Sequence, residues 1–443
     1  MLRLSGTTSP GGTHRVAASV IAMVVLFAAT PQTAAQQEDQ PVRVARLIKS
    51  LGSSSYAQRR WADVQLTKIG AEGRREIEQA TKSDDPEIRL RARSLLKRLK
   101  VAELWAASPV SYRAVDTPAS DAVRELAKQT GNRLNVGDQF RTFEDKKITL
   151  SHSQGTFWQV VDDLCRKSGN RVRRHYDSRK GGLVVVSGNP GKFPLAYAGP
   201  LRARITSARR AFSEDFDYED ESSDTAHTFE FNLQALWEDR FQLMAYRTQP
   251  VLAAAITDSG AELAAAEPSD KSWNVTGRST RQFSTTLTLH PPPVACRHMK
   301  VLAMRWDLIA VGDMAVYEAT DLAAGKSYRR ENMTLKIDSI EHSSDTEHTL
   351  AVIVQRDLVI PEAYEVLFHE NRVELLDSDG VEMLRQNQTA TRVDGGVKLK
   401  ITFQAKTKDA KPTTLRLHYP KIRSQRELEI VFRDVPLPVA KPD

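Results

Sequence analysis

The chain has 443 residues, which is too long for a single hydrophobic core. Its length therefore predicts about three or four domains. A hydrophobic content of 40% and a charged content of 27% are typical of a soluble globular protein. The formal net charge of +7 falls to +5 without Arg3 and Arg15, and no patch of Lys and Arg interleaves with aromatic residues. These features argue against nucleic-acid binding.

The N-terminus has the pattern of an export signal over residues 1–35. Arg3 and Arg15 lie in a basic start, residues 16–29 form an uncharged and mostly apolar run, and small residues at 33–35 follow. We expect cleavage before Gln36 and export to the periplasm or cell surface. The alternative is a retained anchor, although the apolar run is shorter than the ~20 residues of a bilayer span.

Residues 41–104 are predicted to be helical, because apolar residues recur there at helical spacing with Arg and Lys between them. Residues 54–69 align with 84–99 at an offset of 30. The aligned pairs are Arg59 and Arg89, Ala62 and Ala92, Leu66 and Leu96, Lys68 and Arg98, and Ile69 and Leu99. Asp85 and Pro86 are a typical helix start.

This pattern resembles a short HEAT-type repeat, which implies protein binding on one face of the helix stack. The alternative is a stack that only packs on its neighbouring domain.

A second repeat lies in residues 108–190. ELAKQTGNRL at 125–134 and DLCRKSGNRV at 163–172 coincide at an offset of 38, each inside a predicted strand, helix and strand. Gly131 and Gly169 are predicted to end the two helices in the left-handed conformation. Phosphate-binding loops place their glycines before a helix, so the shared Gly-Asn-Arg is interpreted as part of a duplicated βαβ unit rather than a binding motif.

The stretches VSYRAVDTPASDAVRELAKQTGNRLNVG and ITLSHSQGTFWQVVDDLCRKSGNRV resemble the short N-terminal domain (STN-like) shared by secretins and TonB-dependent transducers. The resemblance implies a small sheet covered by helices and a periplasmic protein-recognition role. It covers about 80 residues; the ring-forming domain of secretins and an outer-membrane barrel are not recognised, so only the module carries over.

From about residue 195 the pattern changes to alternating strands, which repeat at a spacing of 120–130 residues. The matching stretches are LRARITSA (201–208) and MTLKIDSI (333–340), HTFEFNLQ (227–234) and HTLAVIVQ (348–355), and ITDSGAEL (256–263) and LDSDGVEM (376–383). They predict two tandem antiparallel β-sandwiches, over 195–325 and 330–438, with a boundary near 321–332.

Few residues are candidates for catalysis or for binding a metal or cofactor. Cys165 takes the place of Ala127 in the duplicated unit, which predicts a small core position, and Cys296 lies in a predicted strand. We expect no disulfide between these two cysteines. His227 and His348 both precede Thr and an apolar strand, which favours a structural role. We therefore predict no catalytic, cofactor-binding or metal-binding residue and no cofactor.

Residues 213–224 contain seven carboxylates in twelve positions. The spacing and glycine of an EF-hand are absent, so we interpret the segment as a solvated hairpin loop. The alternatives are cation binding and docking of this loop against the Arg-rich helices of residues 59–98.

The sequence thus predicts a multidomain α + α/β + all-β protein: a helical-hairpin repeat, a duplicated βαβ module and two tandem antiparallel β-sandwiches. We expect an exported, non-enzymatic protein that binds or scaffolds envelope proteins. One alternative is a carbohydrate-binding or carbohydrate-active protein, with a glycan partner and a carboxylate cleft lined by Trp237, Trp273 or Trp306. Another is an accessory component of a secretion or pilus system.

Overall fold

The computed structural model describes residues 39–438. Gaps within this range are 138–142, 144, 175–181, 220–221, 267–271, 277–281, 292–295, 331–332, 357–372 and 409. The expected signal segment 1–35 lies outside the described residues. In the part of the chain that is described, no helix is long and apolar enough to cross a membrane.

The N-terminal part consists of four α-helices, with a 3₁₀ turn at Gly70–Gly73. They are α1 (Gln40–Leu51), α2 (Tyr56–Ile69), α3 (Arg74–Ala80) and α4 (Pro86–Trp105). The predicted start of α4 is confirmed, because the Asp85 carboxylate accepts hydrogen bonds from the backbone N–H groups of Glu87 and Ile88. Apolar residues from all four helices form one core.

The 30-residue repeat reappears in the hydrogen bonds. The Arg59 guanidinium donates to the carbonyl of Ser53 at 2.7 Å and to that of the following residue at 2.9 Å. Arg89 donates in the same way to the carbonyl of Ser83 and to that of the next residue. Each arginine therefore binds the turn that precedes its own helix.

The duplicated segment contains two strand–helix–strand units followed by one more strand. The first has β1 (Pro109–Pro118), α5 (Ala119–Thr130) and β2 (Leu134–Val136), and the second has β3 (Lys147–Thr156), α6 (Phe157–Ser168) and β4 (Asn170–Arg174), with β5 (Leu183–Ser187) after it. β1 pairs antiparallel with β3, while β5 lies between β2 and β4.

The predicted ends of α5 and α6 are confirmed. Gly131 has φ 68° and Gly169 has φ 73°, so both glycines adopt the left-handed conformation that residues with a Cβ disfavour. Equivalent apolar positions of the two units are buried in one core; they include Val123 and Val161, Leu126 and Leu164, and Leu134 and Val172.

The remaining strands form three antiparallel sheets. They are β6 (Leu195–Ala198), β7 (Leu201–Asp217), β8 (Ser222–Trp237), β9 (Gln242–Arg247), β10 (Val251–Thr257), β11 (Trp273–Val275), β12 (Gln282–Leu289), β13 (His298–Thr320), β14 (Ser327–Arg330), β15 (Met333–His342), β16 (Glu347–Arg356), β17 (Val373–Asp377), β18 (Leu384–Val393), β19 (Gly396–Gln404) and β20 (Pro412–Pro436). A four-stranded sheet has the order β12-β8-β7-β6, and a five-stranded sheet has the order β14-β15-β16-β19-β18. The third, six-stranded sheet has the order β11-β9-β13-β20-β17, with β10 also paired to β13.

The two longest strands, β13 and β20, serve two cores. They pair over the whole of β13, from His298 opposite Pro436 to Thr320 opposite Thr414. One end of this ladder packs with the four-stranded sheet in a first core, and the other end packs with the five-stranded sheet in a second core. The structure therefore differs from the expected boundary, since Phe432 lies within the predicted 330–438 unit and is buried in the first core.

The repeat at a spacing of 120 is also visible in backbone geometry. Gly260 has φ 83° and Gly380 has φ 74°, each in the turn after a strand. Three residues after these glycines, the N–H groups of Leu263 and Met383 donate to the carbonyls eight positions earlier, at 2.8 and 2.9 Å. Each core therefore receives an apolar side chain from the same type of turn.

Candidate functional site

Helices α2 and α4 lie side by side. Arg59 of α2 approaches Glu87 of α4 at 3.5 Å, and Arg98 of α4 contacts Asp63 of α2 at 2.5 Å. The sides of these helices that point away from the helical core carry exposed cationic and apolar side chains. We call this set the basic face; it comprises Arg60, Trp61, Val64, Lys68, Leu90, Arg93 and Lys97.

Among the described residues, the cations of the basic face have no carboxylate partner. The acidic residues of α2 and α4 are Asp63, Glu87 and Glu103, and each is paired with an arginine. By contrast, no described carboxylate forms an ion pair with the lysines and arginines of the basic face, which are Arg60, Lys68, Arg93 and Lys97. Their charges are therefore available to an anionic partner.

Large apolar side chains lie among these cations. Trp61 is 53% exposed, Val64 is 43% exposed and Leu90 is 66% exposed. Exposed apolar surface bordered by charge is typical of an interaction site, and Trp and Arg are enriched among the residues that contribute most to protein interfaces.

Positive charge is concentrated in the helical part of the chain. Residues 41–104 contain 15 Lys and Arg against 8 Asp and Glu, which is a formal charge of +7. The expected mature chain carries only +5, so the remaining residues are net negative. The basic face thus lies within the region of highest positive charge density.

The last turn of α4 attaches the helices to the sheets. Trp105 is 2% exposed in the first core, with its ring 5.3 Å from that of Phe241. Its indole N–H donates to the Ser424 hydroxyl at 2.9 Å. One turn earlier, Lys100 forms an ion pair with Asp313 of β13. These contacts fix the direction in which the basic face points.

A buried polar junction joins the βαβ segment to the first core. The Glu238 carboxylate is fully buried and accepts hydrogen bonds from the Ser108 N–H at 2.9 Å and from Arg240 Nε at 2.8 Å. Asn132 donates to Glu238 at 3.3 Å and accepts from the Arg240 N–H at 3.1 Å. Arg133 binds both carboxylate oxygens of Asp239.

The first Gly-Asn-Arg copy therefore has a role that its sequence alone did not indicate. Gly131 ends its helix as predicted, while Asn132 and Arg133 anchor the segment to residues 238–240. In the second copy, Asn170 donates to Ser168 of its own helix at 2.9 Å.

The acidic segment forms the end of a long two-stranded arm. β7 and β8 pair from Leu201 opposite Trp237 to Asp217 opposite Ser222. β12 leaves β8 at Phe229, and β6 pairs only with the start of β7. In the described strands, residues 211–217 and 222–228 thus pair only with each other; we call these residues, with Tyr218 and Glu219, the acidic arm.

The described side chains at the arm tip are exposed. Phe216 is 48% exposed and Tyr218 is 88% exposed, and their rings meet edge to face at 5.0 Å. Asp217 and Glu219 are also exposed, and neither forms an ion pair with a described residue. Docking of these four residues on the helices of the same chain, one of the alternatives raised above, is therefore not observed.

The two cysteines are buried in different cores, Cys165 with the duplicated units and Cys296 with the first β core. Burial, with a smaller contribution from Asp162, raises the pKa of the Cys165 thiol to about 12. The expected core position of Cys165 is confirmed, and both thiols are free.

We expect neither thiol of the folded protein to react with an alkylating reagent at mildly alkaline pH, because both are buried and Cys165 remains protonated. Two thiols should react after unfolding in guanidinium. Mass spectrometry of the alkylated chain measures both states. A single fast-reacting thiol in the native protein, or no thiol in the unfolded one, would contradict this prediction.

His348 is 5% exposed and pairs with His342, with their Nδ1 atoms 2.7 Å apart. Its Nε2 lies 3.1 Å from the carbonyl of Ala410. A carbonyl only accepts, so Nε2 carries the hydrogen and Nδ1 of a neutral His348 accepts from His342. Protonation of His348 would place its Nδ1–H against the Nδ1–H of His342.

His227, the counterpart of His348 in the sequence repeat, is exposed.

Folding stability is expected to fall at acidic pH through His348. Burial, and then the neighbouring His342, lower the pKa of His348 in the folded protein. The unfolded chain takes up this proton near pH ~6.5, so the stabilisation is complete above that pH and is lost as the pH falls towards the lower folded pKa. Urea unfolding between pH about 7.5 and 5.5 measures it. His348→Gln should flatten the profile, whereas His290→Gln, at an exposed site, should not.

The tryptophans named for a glycan cleft do not form one. Trp237 and Trp306 are buried in the first core, on either side of Phe283. Trp273 is half-buried, and the Arg247 guanidinium lies over its ring at 4.3 Å. Trp237 and Trp306 are therefore closed to a sugar, and Arg247 occupies one face of Trp273.

A shallow groove of about 440 Å³ lies beside the second core. It is lined by charged and apolar side chains, and its residues are Val373, Glu374, Glu382, Met383, Leu384, Arg385 and Lys406. Glu374 is already hydrogen-bonded to His418 at 2.8 Å. The groove lining contains no aromatic ring. In the described part of the chain, no group of three or more His, Cys, Asp and Glu residues is arranged to hold a metal ion.

No family model, no curated protein and no solved structure matches this chain.

Proposed function

We propose that this chain is an exported, non-enzymatic protein that binds and scaffolds other proteins of the cell envelope, and that the basic face is its binding surface. The observation that carries the proposal is the group of cations around exposed Trp61 and Leu90 that form no ion pair with a described carboxylate. Such a surface fits an acidic protein with apolar side chains, because charge directs the encounter and apolar burial holds the complex.

The proposal includes finer domain assignments. A HEAT-like repeat is supported by the equivalent contacts of Arg59 and Arg89 with their preceding turns. An STN-like module is supported by the order of strands and helices in residues 108–190 and by its duplicated core. Tandem β-sandwiches that share β13 and β20 are supported by the two β cores.

The fixed attachment of the helices favours scaffolding over a flexible tether. Trp105, Lys100 and the junction at Glu238 hold the helical part, the βαβ segment and the first β core in one arrangement. A partner bound to the basic face would therefore keep a defined position relative to the sheets.

The test is capture of envelope proteins by the purified mature chain. We expect the triple variant Arg60→Glu, Arg93→Glu and Lys97→Glu to lose at least about tenfold of the captured protein at low salt, because charge complementarity becomes repulsion. The unfolding midpoint should not change, since all three side chains are exposed and unpaired.

A matched control reverses three exposed cations elsewhere, Arg297→Glu, Lys300→Glu and Lys411→Glu. It changes the net charge equally but leaves the helices intact. Equal loss with both triple variants would show a general charge effect, and no loss with the basic-face variant would refute the proposal.

A further inference from the structure

The tip of the acidic arm and the basic face are complementary, and in the described part of the chain the charged groups of both have no ion-pair partner. The arm tip presents Phe216 and Tyr218 beside unpaired Asp217 and Glu219. The basic face presents apolar side chains beside unpaired cations. Both surfaces thus combine exposed apolar groups with charge, and their charges are opposite.

The arm is built to reach away from its own domain. Its seven paired positions beyond the core extend about 23 Å at the usual rise per strand residue. An isolated two-stranded ribbon is marginally stable in water, so the arm depends on the four-stranded sheet that continues from it. A ribbon supported at one end projects its tip into solvent, where the tip can contact another molecule.

We propose that the arm tip of one molecule docks on the basic face of a second copy of this chain, so that the protein self-associates head to tail. This inference rests on the proposed function and names the partner of the same surface. The sequence supports the charge match, since residues 213–224 contain seven carboxylates and no Lys or Arg.

The contact is heterologous, because different surfaces of the two molecules meet. A head-to-tail dimer leaves one arm and one basic face free, so association continues into chains or closes into a ring. Ionic attraction between exposed groups is screened by salt, with a Debye length of ~10 Å at 0.1 M. Self-association is therefore strongest at low ionic strength.

The experiment is sedimentation velocity of the mature, full-length chain over a range of concentrations at low salt. The wild type is expected to form concentration-dependent oligomers. The arm variant Asp217→Lys with Glu219→Lys, and separately the triple basic-face variant, should each weaken association at least about tenfold. The control Asp345→Lys with Asp394→Lys reverses two exposed carboxylates elsewhere and should associate like the wild type.

Mixing the two variants provides the decisive result. The arm variant keeps an intact basic face, and the basic-face variant keeps an intact arm, so together they should form a one-to-one dimer and nothing larger. A mixture that stays monomeric would overturn the head-to-tail contact, and so would a wild type without oligomers.

The outcomes separate this inference from the proposed function. Normal self-association of the arm variant, together with loss of envelope proteins by the basic-face variant, would overturn only the docking of the second copy. A monomeric wild type that binds an acidic peptide or anionic vesicles through the basic face would show a foreign occupant and would also overturn it. Loss of self-association with unchanged envelope-protein capture by the basic-face variant would uphold the docking and refute the function.

Discussion

The variant Glu238→Ala is expected to lower the free energy of unfolding by about 3–5 kcal/mol, the cost of breaking a buried ion pair by removing one partner. The Glu238 carboxylate is fully buried and receives hydrogen bonds from Ser108, Asn132 and Arg240. Its removal leaves these donors without their acceptor inside the junction. Urea unfolding followed by tryptophan fluorescence measures the loss.

A second effect should accompany the loss of stability. The bonds from Ser108 and Asn132 tie the βαβ segment to the first β core, so the variant should open this junction before the cores unfold. Limited proteolysis is then expected to cleave near residues 106–108 in the variant and to spare the wild type.

The control for this prediction is Glu230→Ala. Glu230 forms an ion pair with Arg209, whose side chain is 67% exposed, so its loss should cost less than about 1 kcal/mol. If both variants lost the same stability, the junction would have no special role.

The junction also shows where reasoning from sequence stops. The Gly-Asn-Arg pattern predicts both helix ends correctly, because a glycine after a helix has a local cause. The anchoring role of Asn132 has no local cause, since its partner Glu238 is 106 residues further along the chain. The second copy has the same letters and a local partner, so the repeat alone could not distinguish the two.

In the β half of the chain, too, local features follow from the sequence and long-range pairing does not. The aligned stretches 256–263 and 376–383 form equivalent turns because the residues involved are close in sequence, and Gly260 and Gly380 both have positive φ there. The ladder between β13 and β20 depends on pairing across about a hundred residues, which alternation of apolar and polar residues does not reveal. The alternation therefore predicts a boundary near residues 321–332. In the structure, β20 contributes residues to both cores across this boundary.

The basic face was only partly foreseeable. Helical spacing and the excess of Lys and Arg were visible in residues 41–104. Which cations lack a partner depends on contacts between helices, such as the pairing of Arg98 with Asp63 at a separation of 35 residues. The single tryptophan of α2 likewise gives no sign in the sequence that it is 53% exposed.

Trp105 and Trp61 differ strongly in burial, at 2% and 53% exposed. Trp105→Ala is expected to lower the free energy of unfolding by about 3–5 kcal/mol, because it empties a filled position in the first core and removes the bond to Ser424. Trp61→Ala should cost less, about 1 kcal/mol, because the ring is half in solvent.

Binding should show the opposite order. Trp61→Ala is expected to weaken partner capture at least about tenfold, as loss of an interface aromatic does. Trp105→Ala, assayed at a temperature where it remains folded, should retain capture if the helices keep their own core, since none of the basic-face side chains contributes to the Trp105 site. A Trp61 variant with unchanged capture would remove the apolar part of the binding surface and leave only its charge.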